Sequence, residues 1–152
     1  MESQNNYSSN KFQKITLALF TVFFIAFILF FKSTIFQSTL QLKNLGNLSM
    51  NPEMAFINGK PTYLEFYAEW CEICKEMAPE VTELKENFDN EINFVFLNVD
   101  NPKWDKFIKQ FNVNGIPQMN FIDSNLNVQA TFTGLQEETT LKESMNNLLD
   151  KV

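Results

Sequence analysis

The sequence predicts a small α/β domain with a single apolar helix ahead of it, and three observations carry that expectation. From Ile15 to Phe31 the chain runs 17 residues without a charge. Past residue 50, β-prone stretches alternate with stretches rich in helix formers, in the order α-β-α-β-α-β-β-α. The 2 cysteines, Cys71 and Cys74, stand two residues apart at one of the strand-to-helix junctions.

Residues 1–14 are polar and rich in Asn, Ser and Gln, which predicts a disordered tail. The apolar run 15–31, bounded by Lys14 and Lys32, sits at the short end of the roughly 17–25 residues that span a bilayer. It can extend through Ser33–Phe36 if Lys32 snorkels to the interface. A cleaved signal peptide would show a shorter apolar region and a small-x-small site, and none follows here. A buried core helix would carry polar positions along one side, whereas this run has only Thr16 and Thr21. An uncleaved single-pass anchor at 15–31 is therefore expected. Lys11, Lys14 and the amino terminus face Lys32 and Lys43 across it, a slight lean toward a cytoplasmic N-terminus.

Residues 32–50, dotted with Leu, Asn, Ser and one glycine, read as a tether with little fixed structure, and the folded domain as 51–152. Asn51-Pro52-Glu53 is a helix start, with Asn as N-cap, Pro in the first turn and an acid at the positive helix end; it should close near Asn58-Gly59. Thr62–Tyr67 is aromatic and β-prone. Glu72–Phe88 is a helix carrying Pro79 in its interior, where proline deletes a backbone hydrogen bond and bends the axis. Asn93–Val99 reads as a central, buried strand, and Lys103–Phe111 as a short helix after an Asp-Asn-Pro loop. Gln118–Ile122 and Val128–Thr133, joined by a turn at Asp123-Ser124-Asn125, should pair as a hairpin. Gly134 precedes an amphipathic helix, Glu137–Leu149, with Leu141, Met145, Leu148 and Leu149 on one face.

Composition removes several chemistries. The chain has no histidine, and its 12 cations are all lysine. Ser-His-Asp and Cys-His hydrolysis, His-ligated metals and haem attachment through Cys-x-x-Cys-His all need an imidazole. A closed zinc site needs about four Cys or His ligands, and two are present. A net charge of −6 without arginine argues against nucleic acid as a partner. From Lys60 onward 16 acids stand against 8 lysines, a formal −8, which reads either as solubilising surface or as selection for basic partners.

A Cys-x-x-Cys between a strand and a helix points to dithiol redox chemistry. The stretch Glu65-Phe66-Tyr67-Ala68-Glu69-Trp70-Cys71-x-x-Cys74-Lys75, with Pro79 beyond it, resembles the active-site segment of thioredoxins. Gly115-Ile116-Pro117 resembles their cis-proline loop, and Gly134 the glycine before their last helix. The resemblance covers residues 51–152 and implies a thioredoxin fold, a central mixed sheet flanked by helices. Trp70-Cys71-Glu72-Ile73-Cys74, Met77-Ala78-Pro79 and Asn98-Val99-Asp100-Asn101-Pro102-Lys103-Trp104 are similar to one membrane-anchored subgroup, the TxlA type of cyanobacteria and chloroplast thylakoids. That resemblance implies a redox domain on the thylakoid-lumenal or periplasmic side. It implies protein disulfide substrates, including components needed for cytochrome assembly. A membrane thiol transporter would be the electron donor, and the Cys71–Cys74 dithiol would work without a further cofactor or metal, in a monomer.

On this reading Cys71 is the nucleophile, activated at a helix N-terminus, and Cys74 resolves the mixed disulfide. Glu72-Ile73 stands where thioredoxins carry Gly-Pro. A carboxylate beside Cys71 opposes its thiolate, which favours a reductant; otherwise Glu72 is a solvated first-turn acid. Ile116, before Pro117, also resembles reductases more than isomerases. Glu65 sits where thioredoxins carry a buried aspartate, and acts either as proton acceptor for Cys74 or as a water-linked structural acid. Pro117, if cis, leaves the preceding backbone to an extended substrate. Trp70 is a lid beside Cys71 or a core residue. Glu69, Glu72, Glu76, Glu80 and Glu83 form either a solvated face or a surface for basic targets. The expected function is a membrane-tethered protein-disulfide reductase. Its rivals are a thioredoxin-fold binding or assembly module with an incidental dithiol, and a disulfide oxidase or isomerase.

Overall fold

The structure, a computed structural model, describes residues 5–150, and for residues 5–12 and 31–35 the backbone alone. The start of the expected tail, residues 1–4, and the snorkelling of Lys32 lie outside the described residues.

A single helix, α1 (Asn5–Asn47), replaces the disordered tail from Asn5 onward and, up to Asn47, the tether expected at 32–50. No proline or glycine interrupts the chain before Gly46, so nothing stops a helix once the apolar run forms one. The chain divides into two compact units, Met1–Gln37 and Ser38–Val152. In the first, the window Gln13–Phe30 has a mean hydropathy of 2.1 and none of it is buried, so this helix is long and apolar enough to cross a membrane. Its threonines turn inward: Thr16 Oγ1 donates to the Gln13 carbonyl and Thr21 Oγ1 to that of Ala18. Hydroxyls satisfied within the helix cost little in an apolar surround.

The second unit is built on a four-stranded sheet in the order β2-β1-β3-β4. Strand β1 (Thr62–Tyr67) runs parallel to β2 (Asn93–Asn98) and antiparallel to β3 (Gln118–Ile122), which pairs with β4 (Val128–Thr133) in the expected hairpin. Around it lie α2 (Pro52–Ala55), α3 (Glu72–Phe88), α4 (Asp105–Gln110) after one 3-10 turn at Pro102–Trp104, and α5 (Glu138–Leu149). Helix α2 is shorter than expected, closing at Phe56, while Asn51 caps it as its sequence indicates.

Strand β2 is not central: it is an outer strand, and β1 holds the middle. Its burial has another source. The Met50 N–H donates to the Phe94 carbonyl, and the Ser49 hydroxyl both accepts from Phe96 N–H and donates to the Phe96 carbonyl. Just upstream, Leu42 and Leu45 are buried within the main core cluster, so the end of α1 belongs to the domain that the sequence starts at residue 51. Gly46 is needed there, because a Cβ would meet the Tyr67 hydroxyl.

Alternation along β1 sorts its side chains into two layers. Tyr63 and Tyr67 face the cluster under α3 and α5, while Leu64 and Phe66 face a second cluster with Phe107 of α4. Glu65 falls between the two tyrosines, on the α3 side.

Candidate active site

Strand β1 ends at Tyr67 and the chain enters α3 within five residues, which sets Cys71 at the helix N-cap with φ −75° and ψ 109°. Cys71 and Cys74 are joined by a disulfide, their Cα atoms 5.2 Å apart. The Cys74 backbone N–H donates to Cys71 Sγ at 3.1 Å, and the Lys75 N–H bonds to the Cys71 carbonyl at 3.1 Å. The first turn thus directs a helix N–H at the Cys71 sulfur, a contact that stabilises a thiolate. Both cysteines are buried, Cys71 at 5 % exposure and Cys74 at 1 %, so the slightly more exposed residue is the predicted nucleophile.

Trp70 is 63 % exposed, which settles its placement as surface rather than core. Its indole N–H donates to Asp100 Oδ2 at 2.9 Å, and the Asp100 N–H in turn bonds to Asn98 Oδ1. Ile73 is exposed on the first turn of α3. Glu72 lies outward with its carboxylate 2.8 Å from the Lys75 ammonium, so part of its charge is offset one turn away. Sequence reasoning overlooked Lys75, although a Glu-Lys spacing of three is a legible helix pair.

Ile116 and Pro117 are joined by a cis peptide bond, and the Pro117 carbonyl accepts from Gly134 N–H at 2.9 Å. Gln118 lies opposite Phe66, so Pro117 follows the register to the end of β1 that feeds the cysteine turn. Gly134 there takes φ +84°, a conformation suited to glycine. Ile116 packs against both core clusters.

Glu65 is 2 % exposed and paired across the sheet with Phe96 and Met119. Burial raises its carboxyl to about 7, and a hydrogen bond from Tyr63 works in the opposite direction. That bond, Tyr63 Oη to Glu65 Oε2 at 2.7 Å, is the second contact sequence reasoning missed. Residues two apart on a strand share a face, so the pair was there to be read. Burial also raises the Tyr67 phenol, helped by Glu69 and Glu65. On the acidic face of α3, Glu80 is raised by partial burial and by its neighbours Glu138 and Glu76. Among the described residues no cluster of His, Cys, Asp or Glu is arranged to hold a metal ion.

The chain is 40 % identical over 141 residues to the thioredoxin-like protein HCF164, chloroplastic, of Arabidopsis thaliana, covering 93 % of this chain and 53 % of that one. It is 40 % identical over 95 residues to the thiol:disulfide interchange protein TxlA homolog of Synechocystis, covering 62 % of this chain and 53 % of the relative. This chain therefore spans about half the length of these relatives. Among solved structures, the germline-specific thioredoxin Deadhead of Drosophila melanogaster superposes with a TM-score of 0.54 at 30 % identity, over 63 % of this chain and 86 % of that one. The thioredoxin family profile matches residues 50–147, the stretch that runs from the covered edge of β2 to the last turns of α5. The chain belongs to the thioredoxin family.

Proposed function

We propose that this protein is a membrane-tethered thiol–disulfide oxidoreductase that reduces protein disulfides on the non-cytoplasmic side of its membrane, the thylakoid lumen or periplasm. One observation carries the reading: the Cys71–Cys74 pair closes the first turn of α3, with the Cys74 N–H on Cys71 Sγ.

In the reduced protein the Cys71 thiolate attacks one sulfur of a client disulfide and forms a mixed disulfide, and the first client thiolate leaves. The Cys74 thiol gives its proton to the Glu65 carboxylate and attacks Cys71 Sγ. The second client thiolate leaves, and the Cys71–Cys74 bond forms. Two electrons pass from the dithiol to the client, and a membrane dithiol donor restores them. Trp70, Ile73 and the Ile116-Pro117 corner border the cysteine turn and offer an extended client segment its contacts.

The direction of flow rests on Glu72. Its carboxylate disfavours the Cys71 thiolate, and a less stable reduced form is a stronger reductant. Lys75 returns part of that effect, so the pair tunes the site jointly. The apolar window Gln13–Phe30 supports the tether. Sidedness draws on the relatives, one of them named as chloroplastic.

The test is reduction of a disulfide-bonded protein by the reduced full-length chain. Cys71→Ser should abolish it, and Cys74→Ser should accumulate mixed disulfides with clients. Recovery of no trapped species would favour a binding module. A Cys71–Cys74 potential near the ~−120 mV of strong oxidants would overturn the direction. An impermeant thiol reagent applied to intact vesicles reports which side Cys71 occupies.

A further inference from the structure

We propose that Tyr63 is a positioning residue for the dithiol chemistry: its buried hydroxyl holds Oε2 of Glu65 and leaves Oε1 as the oxygen that exchanges a proton with Cys74. The inference rests on the reading of Glu65 as proton acceptor and adds the group that orients it.

Tyr63 has no solvent exposure, and its ring is wedged among Phe94, Phe96 and Phe121, with centroids 5.4, 6.0 and 5.3 Å away. A ring fixed on three sides leaves its hydroxyl little freedom. That hydroxyl meets Glu65 Oε2 at 2.7 Å, and among the described residues no donor bonds Oε1. Burial and the neighbouring carboxylate hold the Tyr63 phenol well above its ordinary range, so it remains a donor at any physiological pH.

Glu65 has few other electrostatic neighbours. Tyr63 and Tyr67 of β1 share its layer, with the Cys71–Cys74 disulfide at the start of α3, and Glu69 acts on Tyr67 from beyond the strand. β2, β3, α5 and the end of α1 contribute apolar side chains to the same cluster, among them Phe96, Met119, Met145 and Leu45. Lys85 lies over the Phe94 ring at 5.9 Å and pairs with Asp89, while burial and the Tyr63 hydroxyl are what act on the Glu65 carboxyl, so the phenol is the polar group positioned to stabilise its charge. A hydrogen bond to a charged acceptor in such a setting is among the stronger kinds. It keeps the carboxylate accessible near neutral pH, where an unaided buried carboxyl would stay protonated and unable to accept.

The experiment compares native full-length protein with Tyr63→Phe in detergent micelles, following the Glu65 carboxyl by carbon-13 NMR of labelled glutamate. The midpoint of Glu65 should rise by about one to two pH units in Tyr63→Phe. The pH profile of client reduction should move upward with it, making the variant slower at pH 7 by about tenfold, and Tyr63→Phe should add nothing in a Glu65→Gln background. An unmoved midpoint overturns the anchoring role. A midpoint that moves while the rate profile stays fixed shows instead that Glu65 does not take the proton, and removes Tyr63 from the chemistry with it. If Tyr63→Phe does not fold, the native protein still decides. The Tyr63 ring carbon bearing the hydroxyl should show a chemical-shift step at the Glu65 midpoint, and a flat trace there overturns the inference.

Discussion

Lys75 places its ammonium 2.8 Å from the Glu72 carboxylate, one turn along the helix that Cys71 opens. Glu72 is solvent-facing, so the pair is screened and each charge acts on Cys71 modestly. Removing Lys75 should unmask Glu72. Lys75→Gln is expected to raise the Cys71 thiolate midpoint, and Glu72→Gln to lower it, each by less than about one pH unit. Thiolate absorbance across a pH titration of the reduced protein checks both signs; shifts in the same direction would refute the coupling.

Glu65 makes stability depend on pH, and the sign follows from its direction of shift. Its folded-state carboxyl lies at about 7, raised above the ordinary 4.5 by burial. A raised acid binds its proton more tightly when folded, so its contribution is complete below about 4.5 and is lost as pH rises through about 7. Across that window the native protein should lose stability on the order of 3 kcal/mol, and Glu65→Gln should not. Denaturant unfolding between pH 5 and 8, with the Cys71–Cys74 disulfide intact, measures the difference.

The end of α1 should behave as part of the folded domain. A chain starting at residue 38 is expected to unfold cooperatively. One starting at 51 loses Leu42, Leu45 and the bonds of Ser49 and Met50 to β2, and should be destabilised by several kcal/mol. Leu45→Ala alone should cost about 2–5 kcal/mol. Gly46→Ala forces a methyl against the Tyr67 hydroxyl and should cost about 1–3 kcal/mol. Thermal melts of the four chains rank these effects, and equal melting temperatures for the two truncations would place the boundary at 51 after all.

Trp70 is held by a single side-chain bond to Asp100. Asp100→Ala should release the indole, change its fluorescence and raise the KM for a protein client several-fold, with kcat changed less. Trp70→Ala should raise KM at least as much. A kcat loss with unchanged KM would place Trp70 in the chemical step instead.

How much of this was legible in the sequence divides along local and long-range lines. The cysteine turn, the strand before it and the proline corner announced themselves through short motifs whose meaning is set by neighbours in the chain. Four strands and the last three helices followed, within a residue or two, from local composition, turn signals and, in the last helix, periodicity. Residues 32–50 failed because a polar, leucine-dotted stretch carries no internal sign of the surface that Leu42 and Leu45 reach. Strand β2 looked central because a near-continuous apolar run reports burial and not hydrogen-bonding partners, and its cover comes from Ser49 and Met50, more than forty residues upstream. Trp70 with Asp100 is likewise a pairing across 30 residues. Tyr63 with Glu65 was different: two residues on one strand face, readable but unread.

The Ser49 hydroxyl, engaged with both backbone groups of Phe96, also bears on solubility. An outer strand with bare amides is a template on which foreign strands assemble. Here one border of the sheet is stoppered by a side chain that imitates a neighbouring backbone, then by the Met50 amide. Growth by strand addition is thereby confined to the β4 border. Proteolytic loss of residues through 50 would unstopper the other side, and the released fragment would gain a second sticky border and with it a route to fibrous association.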